Sequence, residues 1–326
     1  MASTKSFSVS GKTAIVTGAG SGINLAFAQL LLSHDCSVVF ADLELRPEAK
    51  DVISRYQSEG KSKAQASFIK TDVTSWTDLS NMFSFALEKH GDIDIVCPGA
   101  GVYEPHWSNF WHPPGSSESR DAVDKGHYGL LDINLTHPIR VTQMAISHWL
   151  YPRPPIEGSK FTAAPPKASP SNPKRVIHIS SVAAQIPVWR APLYAASKFG
   201  LSGFIRSVAR LEPLFGVRVN AVAPGVVRTP LWTEHPEKLR NVDQSQDAWV
   251  TPQEVAQAML RCIEEDENVG GTVLEVGAGN TRKVNAFNDP GPDRDPRKGL
   301  ITSSNEHGDG DVLNWLQDEN VWGPHL

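Results

Sequence analysis

The sequence has little cysteine, no long apolar run and no cluster of one charge sign. Its three cysteines, Cys36, Cys97 and Cys262, lie far apart among 326 residues. They form neither a metal-ligand pattern nor a disulfide framework, so no metal is predicted and a reducing compartment is indicated. Residues 1–12 are polar and lack the apolar core of a signal peptide. We therefore expect a cytoplasmic protein.

Charge and hydropathy exclude two further classes of protein. The net charge is −5, and the lysines and arginines are scattered, so nucleic acid is not an expected partner. The longest apolar stretches have the length of strands, so no membrane partner is expected either. With 40% hydrophobic residues, the composition is that of a soluble globular protein, and we expect its partner to be a small-molecule substrate.

What the sequence does have is a regular alternation of short apolar runs with helical periods. The runs occupy residues 13–16, 38–41, 68–69, 93–96, 176–179, 217–222 and 272–276. Continuous apolar strands separated by helices indicate a parallel sheet that is covered on both faces. Because such crossovers are right-handed, we predict a single-domain α/β fold, a Rossmann-type doubly wound parallel sheet of about seven strands.

Residues 1–280 are predicted to form this dinucleotide-binding and catalytic domain, with two insertions. Residues 103–127 are rich in Trp, Pro, Ser and His, and residues 152–174 in Pro, Ala, Ser and Lys. Residues 281–326 are predicted to be a C-terminal extension, partly mobile, with a terminal helix. The aromatic residues of the first insertion either wall a substrate pocket or pin the insertion to the body, and both interpretations stay open.

The stretch TGAGSGIN follows the first apolar run and precedes a helical period. Gly18 permits a tight turn, and Gly22 lets the backbone approach phosphate at a helix N-terminus. We predict a dinucleotide site that includes Ser21 and Ile23; a plain loop entering a helix is the alternative. Asn24 stands where a third glycine would serve helix–strand packing, and its amide is expected to bond either the turn or the cofactor.

The second and third apolar runs each end in an acidic residue. Asp42 lies about twenty residues beyond the glycines, where a carboxylate can hydrogen-bond both ribose hydroxyls. A 2′-phosphate would meet that charge, and Arg46 is the one nearby base that could offset it. We therefore predict NAD over NADP, with a capping role as the alternative for Asp42. Asp72 and Val73 are predicted to contact the adenine.

The stretch LYAASKFG places Tyr194 and Lys198 four residues apart, on one face of a helix. A phenol has a pKa of about 10, and a neighbouring ammonium is expected to lower it toward that of a useful base. An isolated pair of this kind would usually be a solvated helix face. Here Ser181 ends the fifth apolar run, where an open α/β sheet binds its ligand. Asn134 precedes that run and could fix Lys198 through a water.

Together, in chain order, these residues resemble the short-chain dehydrogenase/reductase superfamily over residues 10–280. The matching positions are Thr17-Gly18-x-x-x-Gly22, Asp72, Asn134, Ser181, Tyr194-x-x-x-Lys198 and Pro224-Gly225-x-Val227-x-Thr229. The resemblance implies that Tyr194 is the catalytic acid and base, and that Lys198 lowers its pKa and binds the nicotinamide ribose. It also implies that Ser181 hydrogen-bonds the reacting oxygen and that Asn134 orders a proton-relay water. Pro224, Gly225, Val227 and Thr229 would then line the nicotinamide, with Thr229 at its carboxamide.

Two positions depart from the superfamily pattern. Asn24 replaces a glycine, and Pro98-Gly99-Ala100-Gly101 stands where the pattern has Asn-Asn-Ala-Gly. The lost asparagines would remove hydrogen bonds beside the cofactor. Gly99 and Ala100 are still assigned to cofactor binding, because Gly99 permits a close approach of the backbone. We expect altered local rigidity and retained activity.

Within the superfamily the chain is similar to the hydroxyprostaglandin dehydrogenase-like branch, and to fungal secondary-metabolism members such as hydroxyaverantin dehydrogenase. The stretches that carry this are SGINLAFAQLL, CPGAGVYEPHWSNFWHPPG, DINLTHPIRVTQ, ASPSNPKRVIHISS and GGTVLEVG. The resemblance implies a homodimer or homotetramer that interconverts a secondary alcohol and a ketone with NAD, on a lipophilic, polyketide-type substrate. An NADPH-dependent ketoreductase, a cyclase or epimerase, and a non-catalytic dinucleotide-binding partner are the alternatives.

Overall fold

The computed structural model describes residues 7–57, 64–155, 160–304 and 306–318. The described strands are β1 Thr13–Thr17, β2 Ser37–Asp42, β3 Ala66–Lys70, β4 Ile95–Cys97, β5 Lys174–Ile179, β6 Val217–Pro224, β7 Val273–Gly277 and β8 Asn280–Lys283. They form one sheet in the order β3-β2-β1-β4-β5-β6-β7-β8. The first seven are parallel, at the places of the seven apolar runs, and this confirms the predicted doubly wound α/β fold.

The eighth strand was not predicted. It pairs antiparallel with β7 after a two-residue turn that contains Gly279, whose φ is +66°. Its sequence, NTRK, is polar because the strand lies at the sheet edge and is only partly buried. The division of the chain after residue 280 stays a prediction, and β8 crosses it.

Helices cover both faces of the sheet. The described helices are α1 Gly22–Ser33, α2 Pro47–Tyr56, α3 Trp76–His90, α4 Gly129–Leu131, α5 His137–Leu150, α6 Pro192–Ser207, α7 Leu211–Phe215, α8 Pro230–Thr233, α9 Pro236–Leu239, α10 Pro252–Glu264 and α11 Glu306–Gln317. A π-helical segment, Asp132–Thr136, joins α4 to α5. Alternate strand residues feed two cores, so Ala14 and Val16 pack with α1, α2 and α10, while Ile15 packs with α3, α5 and α6.

The insertions and the segment after β8 add residues beyond the strands of this sheet. The first insertion is closed by the Arg120 N–H, which donates to the Trp107 carbonyl at 2.8 Å. Residues 156–159 of the second insertion lie outside the described residues. Helix α11 occupies the region where a terminal helix is predicted. No helix in the described ranges is long and apolar enough to cross a membrane.

Candidate active site

The strand order reverses between β1 and β4, and a cleft of about 660 Å³ opens at the carboxyl ends of the strands. Every residue assigned to the cofactor from the sequence lines this one cleft: Gly18, Ser21, Gly22, Ile23, Asp42, Asp72, Val73, Gly99, Ala100, Tyr194, Lys198, Pro224, Gly225, Val227 and Thr229. Ser181 lines it as well. Asn134 is buried behind the lining residues, with 1% of its surface exposed.

The glycine turn has the conformation that a dinucleotide site needs. Gly18 and Gly22 have φ values of +71° and +58°, which L-residues with side chains rarely adopt. A Cβ at Gly18 would lie 2.8 Å from the Cα of Ala100. Helix α1 begins at Gly22, and within the described chain Ser21 makes no side-chain cap hydrogen bond. The first N–H groups of α1 are therefore available to the phosphates of a dinucleotide, and the turn fits that group.

Asn24 lines the cleft, and in the described structure its amide bonds the loop after β4 and not the glycine turn. Its side chain is buried, and Nδ2 donates to the Gly99 carbonyl at 2.9 Å, while the Cys97 thiol lies 3.9 Å from Oδ1. A Cβ at Gly99 would come within 2.0 Å of Asn24 Oδ1. The two departures from the superfamily pattern thus offset each other: the asparagine side chain enters from α1, and the loop after β4 has a glycine to receive it.

Asp42 lies at the end of the cleft that is predicted to hold the adenosine. Its Oδ2 accepts the Gly20 N–H at 2.8 Å, which fixes the carboxylate against the glycine turn. Arg46 donates two hydrogen bonds to Glu234, at 2.5 and 2.6 Å. Arg46, the basic residue that could have balanced the charge of a 2′-phosphate, is therefore already paired with the Glu234 carboxylate. Asp72 also lines the cleft, but its Oδ1 accepts from the Thr74 N–H and hydroxyl.

Helix α6 brings Tyr194 and Lys198 to the other end of the cleft. The Lys198 ammonium lies 5.5 Å from the centre of the Tyr194 ring and donates to the Ile179 carbonyl at 2.8 Å. Burial lowers the pKa of Lys198 to about 8. Burial also raises the pKa of Tyr194 to about 12, against the opposing effect of a hydrogen bond with Ser181. Desolvation is the largest effect on this phenol, and a lowering of its pKa by the ammonium stays a prediction.

Asn134 lies in the π-helical segment, and such segments are frequent at functional sites. Its Nδ2 donates to the Val102 carbonyl at 2.8 Å, and its Oδ1 accepts the Val102 N–H at 2.9 Å. The amide thus fixes the loop after β4. A Cβ at Gly101, between the two side chains, would lie 3.2 Å from Asn134 Oδ1 and 3.9 Å from Lys198 Nζ. The asparagine and the lysine are therefore near each other, without a direct hydrogen bond between them in the described structure.

Glu104 was missed in the sequence. It is 5% exposed, and its carboxylate accepts the Tyr194 N–H at 2.8 Å and the Phe110 N–H at 3.1 Å. Ala191, the N-cap of α6, has no side-chain acceptor, so Glu104 supplies one from a distant loop. Burial raises the pKa of Glu104 to about 7. No local pattern marks an acid ninety positions before the tyrosine whose helix it holds.

Most aromatic residues of the first insertion lie behind the cleft, and Tyr103 alone of those described lines it. Among the described residues that line the cleft, none belongs to the cluster His106, Trp107, Phe110, Trp111 and His112. Trp111 stacks 4.5 Å from Trp189 and donates Nε1–H to the Trp189 carbonyl at 3.0 Å. Trp189 lines the cleft itself. Of the two interpretations of this cluster, the structure supports the one in which it attaches the insertion to the body of the protein.

Two cations lie near Tyr103, at the Tyr194 end of the cleft; Arg190 lines the cleft, whereas Lys238 is not among the described lining residues. The Tyr103 ring meets the Tyr194 ring edge-on at 4.7 Å. Arg190 Nη2 donates to the Tyr103 hydroxyl at 2.7 Å, while its Nη1 is buried with no hydrogen-bond partner in the described part of the chain. Lys238 Nζ lies 5.7 Å from the same ring, and burial lowers its pKa to about 8. This end of the cleft therefore has donors to offer an anionic group.

The sheet and the cleft at its switch point define a protein with a Rossmann-type fold. The chain belongs to the short chain dehydrogenase family, whose model matches residues 12–240. It is 28% identical over 285 residues to 15-hydroxyprostaglandin dehydrogenase (NAD(+)) of Rattus norvegicus, covering 83% of this chain and 92% of that one. It is 27% identical to trans-4-hydroxycyclohexanecarboxylate dehydrogenase of Sinomonas cyclohexanicum, covering 86% and 97%. The protein is thus an enzyme that acts on CH–OH groups.

Solved structures agree on the fold. A dehydrogenase/reductase from Sinorhizobium meliloti 1021 aligns with a TM-score of 0.61 at 23% identity, over 82% of this chain and 94% of that chain. A 3-ketoacyl-(acyl-carrier-protein) reductase from Brucella melitensis, solved with NADH, aligns with the same TM-score at 22% identity, over 82% and 98%. Identity at this level supports the architecture alone.

Proposed function

We propose that the protein is an NAD-dependent dehydrogenase that oxidises a secondary alcohol to a ketone on a lipophilic substrate. One observation carries this proposal: Ser181, Tyr194 and Lys198 converge at the end of a cleft whose other end is an uncapped glycine turn. We further propose that it works in the cytoplasm as a homodimer or homotetramer, paired through the helices around Asn134 and Tyr194.

The chain's own residues divide the work of holding the dinucleotide. The N–H groups at the start of α1 would bind the pyrophosphate, Asp42 the adenosine ribose and Lys198 the nicotinamide ribose. Thr229 lies across the cleft: a Cβ at Gly22 would come within 3.3 Å of its methyl group. When bound, the oxidised nicotinamide ring supplies the hydride acceptor and adds positive charge beside the phenol.

Proton transfer is the task of Tyr194. The Ser181 hydroxyl and the Tyr194 hydroxyl hydrogen-bond each other, so both can contact one substrate oxygen. Tyr194 takes the hydroxyl proton as the alcohol becomes a ketone, and returns it in the reverse direction. Positive charge in the cleft must stabilise the phenolate, because burial alone raises the pKa of this side chain to about 12.

The choice of NAD rests on Asp42 and on the paired Arg46. A 2′-phosphate would meet the Asp42 carboxylate, while the Arg46 guanidinium is held by Glu234. The relative from Rattus norvegicus carries NAD(+) in its name, which supports the same choice. Initial rates with NAD and NADP test this directly, and a clear preference for NADP would establish the ketoreductase alternative.

For the substrate we propose a lipophilic hydroxy compound with a remote carboxylate. Ile186, Val188 and Trp232 give the cleft an apolar wall, which suits the polyketide-type compounds implied by the resemblance to hydroxyaverantin dehydrogenase. The unpaired Arg190 Nη1 and the nearby Lys238 then favour an anionic group at the far end. A carboxylate also appears in the name of the relative from Sinomonas cyclohexanicum.

The test is a screen of hydroxylated compounds in matched pairs, free acid and methyl ester, followed by the absorbance of reduced nicotinamide. We expect turnover with NAD, faster for the acids, and a loss of at least about a hundredfold in kcat for Tyr194→Phe. Tyr56→Phe is the control, because Tyr56 packs against the core on α2, away from the cleft. Unchanged turnover in Tyr194→Phe would favour a non-catalytic dinucleotide-binding protein. A product formed without net cofactor change would favour a cyclase or epimerase.

A further inference from the structure

A second cluster of chemistry-bearing side chains lies in the first insertion, outside the cleft. His106, His112 and Glu118 each offer one ligand atom, and these three atoms lie within 4.8 Å of one another. His106 Nδ1 is 2.5 Å from Glu118 Oε2, and His112 Nε2 is 3.7 Å from the same oxygen. We propose that these three residues bind one zinc ion, which fixes the insertion and the C-terminal helix to each other.

The state of His112 is the first reason for this assignment. The side chain is 1% exposed, and both of its ring nitrogens are buried without a hydrogen-bond partner in the described ranges. An unpaired buried polar group is costly, and native proteins rarely leave one. The buried His137 shows the usual solution, because its nitrogens meet Thr17 Oγ1 at 3.1 Å and the Ile133 carbonyl at 3.0 Å. A metal ion at Nε2 would give His112 the partner that it lacks.

The distances need only small movements to fit the ion. With bonds of about 2.0–2.2 Å, ligand atoms of a tetrahedral zinc site lie about 3.4 Å apart. The 3.7 Å separation is already close and the 2.5 Å pair must open, while the His106 ring, stacked on His112 at 4.8 Å between ring centres, must turn so that both nitrogens face the ion. That adjustment falls on His106 and Glu118, whose side chains are 50% and 48% exposed and can rotate. Their exposure also leaves room for a water as the fourth ligand.

The donor set decides the kind of ion. Two imidazole nitrogens and one carboxylate oxygen are the ligands of many zinc sites, whereas calcium and magnesium prefer oxygen alone. None of the three residues lines the cleft. The ion is therefore assigned a structural role and takes no part in the reaction.

The cluster lies where a bound ion would join the insertion to neighbouring helices. The ligands come from three places in one long loop, so a single ion would restrict the whole of it. Trp315 of α11 packs on the rings of His112 and His106, at 4.6 and 5.8 Å between ring centres. The base of the same loop carries Glu104, which holds the Tyr194 N–H. Zinc would thus stabilise the contact between the insertion, α11 and the start of α6.

The test uses the full chain without a histidine tag, stripped of metal by a chelator and titrated with Zn²⁺ against a chromophoric chelator. We expect one Zn²⁺ per chain and a rise in Tm of about 4 °C at a hundredfold excess over Kd. Co²⁺ should bind in the same place and give the visible absorption bands of a tetrahedral site. His106→Gln and Glu118→Gln should each weaken zinc binding at least tenfold and abolish those bands.

His127→Gln is the matched control. His127 is half-exposed and lies 2.5 Å from Asp132, as His106 does from Glu118, but the described structure gives that pair no third ligand. This variant should bind zinc like the unmodified chain. Sub-stoichiometric binding, affinity retained in both ligand variants, or an equal loss in His127→Gln would each overturn the proposal. Because both ligand side chains are exposed, these variants are expected to fold without metal.

Discussion

Asn24 and Gly99 are expected to act as one structural unit, so that a change at either should be offset by a change at the other. In Gly99→Ala the new Cβ would lie 2.0 Å from Asn24 Oδ1, too close for both groups to stay. The asparagine must then move, and it loses its hydrogen bond to the Gly99 carbonyl. Overpacking costs about 1–3 kcal/mol, and a lost buried hydrogen bond about 1–3 kcal/mol. We expect Gly99→Ala to lower the free energy of unfolding by about 2–6 kcal/mol.

The reverse change is milder. Asn24→Gly removes the donor to the Gly99 carbonyl but introduces no clash, so its cost is about 1–3 kcal/mol, plus a few tenths for glycine in a helix. In the double variant the clash is absent and the hydrogen bond is lost only once. The double variant should therefore be more stable than Gly99→Ala alone, with a coupling energy of about 2–6 kcal/mol, the sum of one overpacking cost and one hydrogen-bond cost.

Urea unfolding of the four proteins, together with the Kd for NAD, measures this coupling. Gly203→Ala is the control, because a Cβ at this position in α6 meets no other atom within 4 Å. That change should be neutral or stabilising. If the changes in unfolding free energy of the two single variants simply add in the double variant, Asn24 and Gly99 do not act as one unit. Their close contact then contributes no coupling energy.

Three further perturbations test the site. Burial raises the pKa of Glu104 to about 7, so the folded state favours the protonated side chain. The stability that protonated Glu104 contributes is complete below its usual pKa of 4.5 and is lost as the pH rises through 7. In the unmodified chain the free energy of unfolding, measured in urea, should fall by up to about 3 kcal/mol as the pH rises from 4.5 to 7. Glu104→Gln should remove this fall. If the two proteins show parallel curves of unfolding free energy against pH, the expectation is contradicted. Glu234→Gln frees Arg46, so the preference for NAD over NADP in kcat/KM should drop about tenfold, and an unchanged ratio would show that Arg46 does not reach the 2′ position. Arg190→Gln should raise KM for an acid substrate about tenfold or more while leaving that of its methyl ester unchanged; an equal effect on both would indicate a loss of packing.

The repeated apolar strands, and the site residues at their ends, could be predicted from the sequence. Seven strands are apolar because both faces of the sheet are covered, so each of these strands can be recognised by its own continuous apolar run. Asp42 and Ser181 could be found because they lie at or just beyond the ends of strands, and parallel strands end at one edge. Tyr194 and Lys198 could be found because they lie one helical turn apart and follow Ser181 in the chain.

What could not be predicted depends on contacts between distant loops. Glu104 supports the helix of Tyr194 from an insertion without periodicity, and only the folded chain shows that Arg190 has an unpaired nitrogen. His106, His112 and Glu118 are separated by five residues each, a spacing that matches no common ligand pattern. The strand β8 was missed because a polar edge strand carries little apolar signal.

The pKa values of the tyrosine–lysine pair lead to a last prediction. Burial shifts both groups toward their neutral forms, since it raises the pKa of Tyr194 and lowers that of Lys198. Near neutral pH Tyr194 is therefore a proton donor, the form that ketone reduction needs, and alcohol oxidation must first remove its proton. Initial rates of oxidation should rise with pH from about 6 to about 9, with a slope near one on a logarithmic plot, whereas rates of reduction should stay level or fall. A flat profile for oxidation would mean that the phenolate is already present at neutral pH, and that the neighbouring charge outweighs desolvation after all.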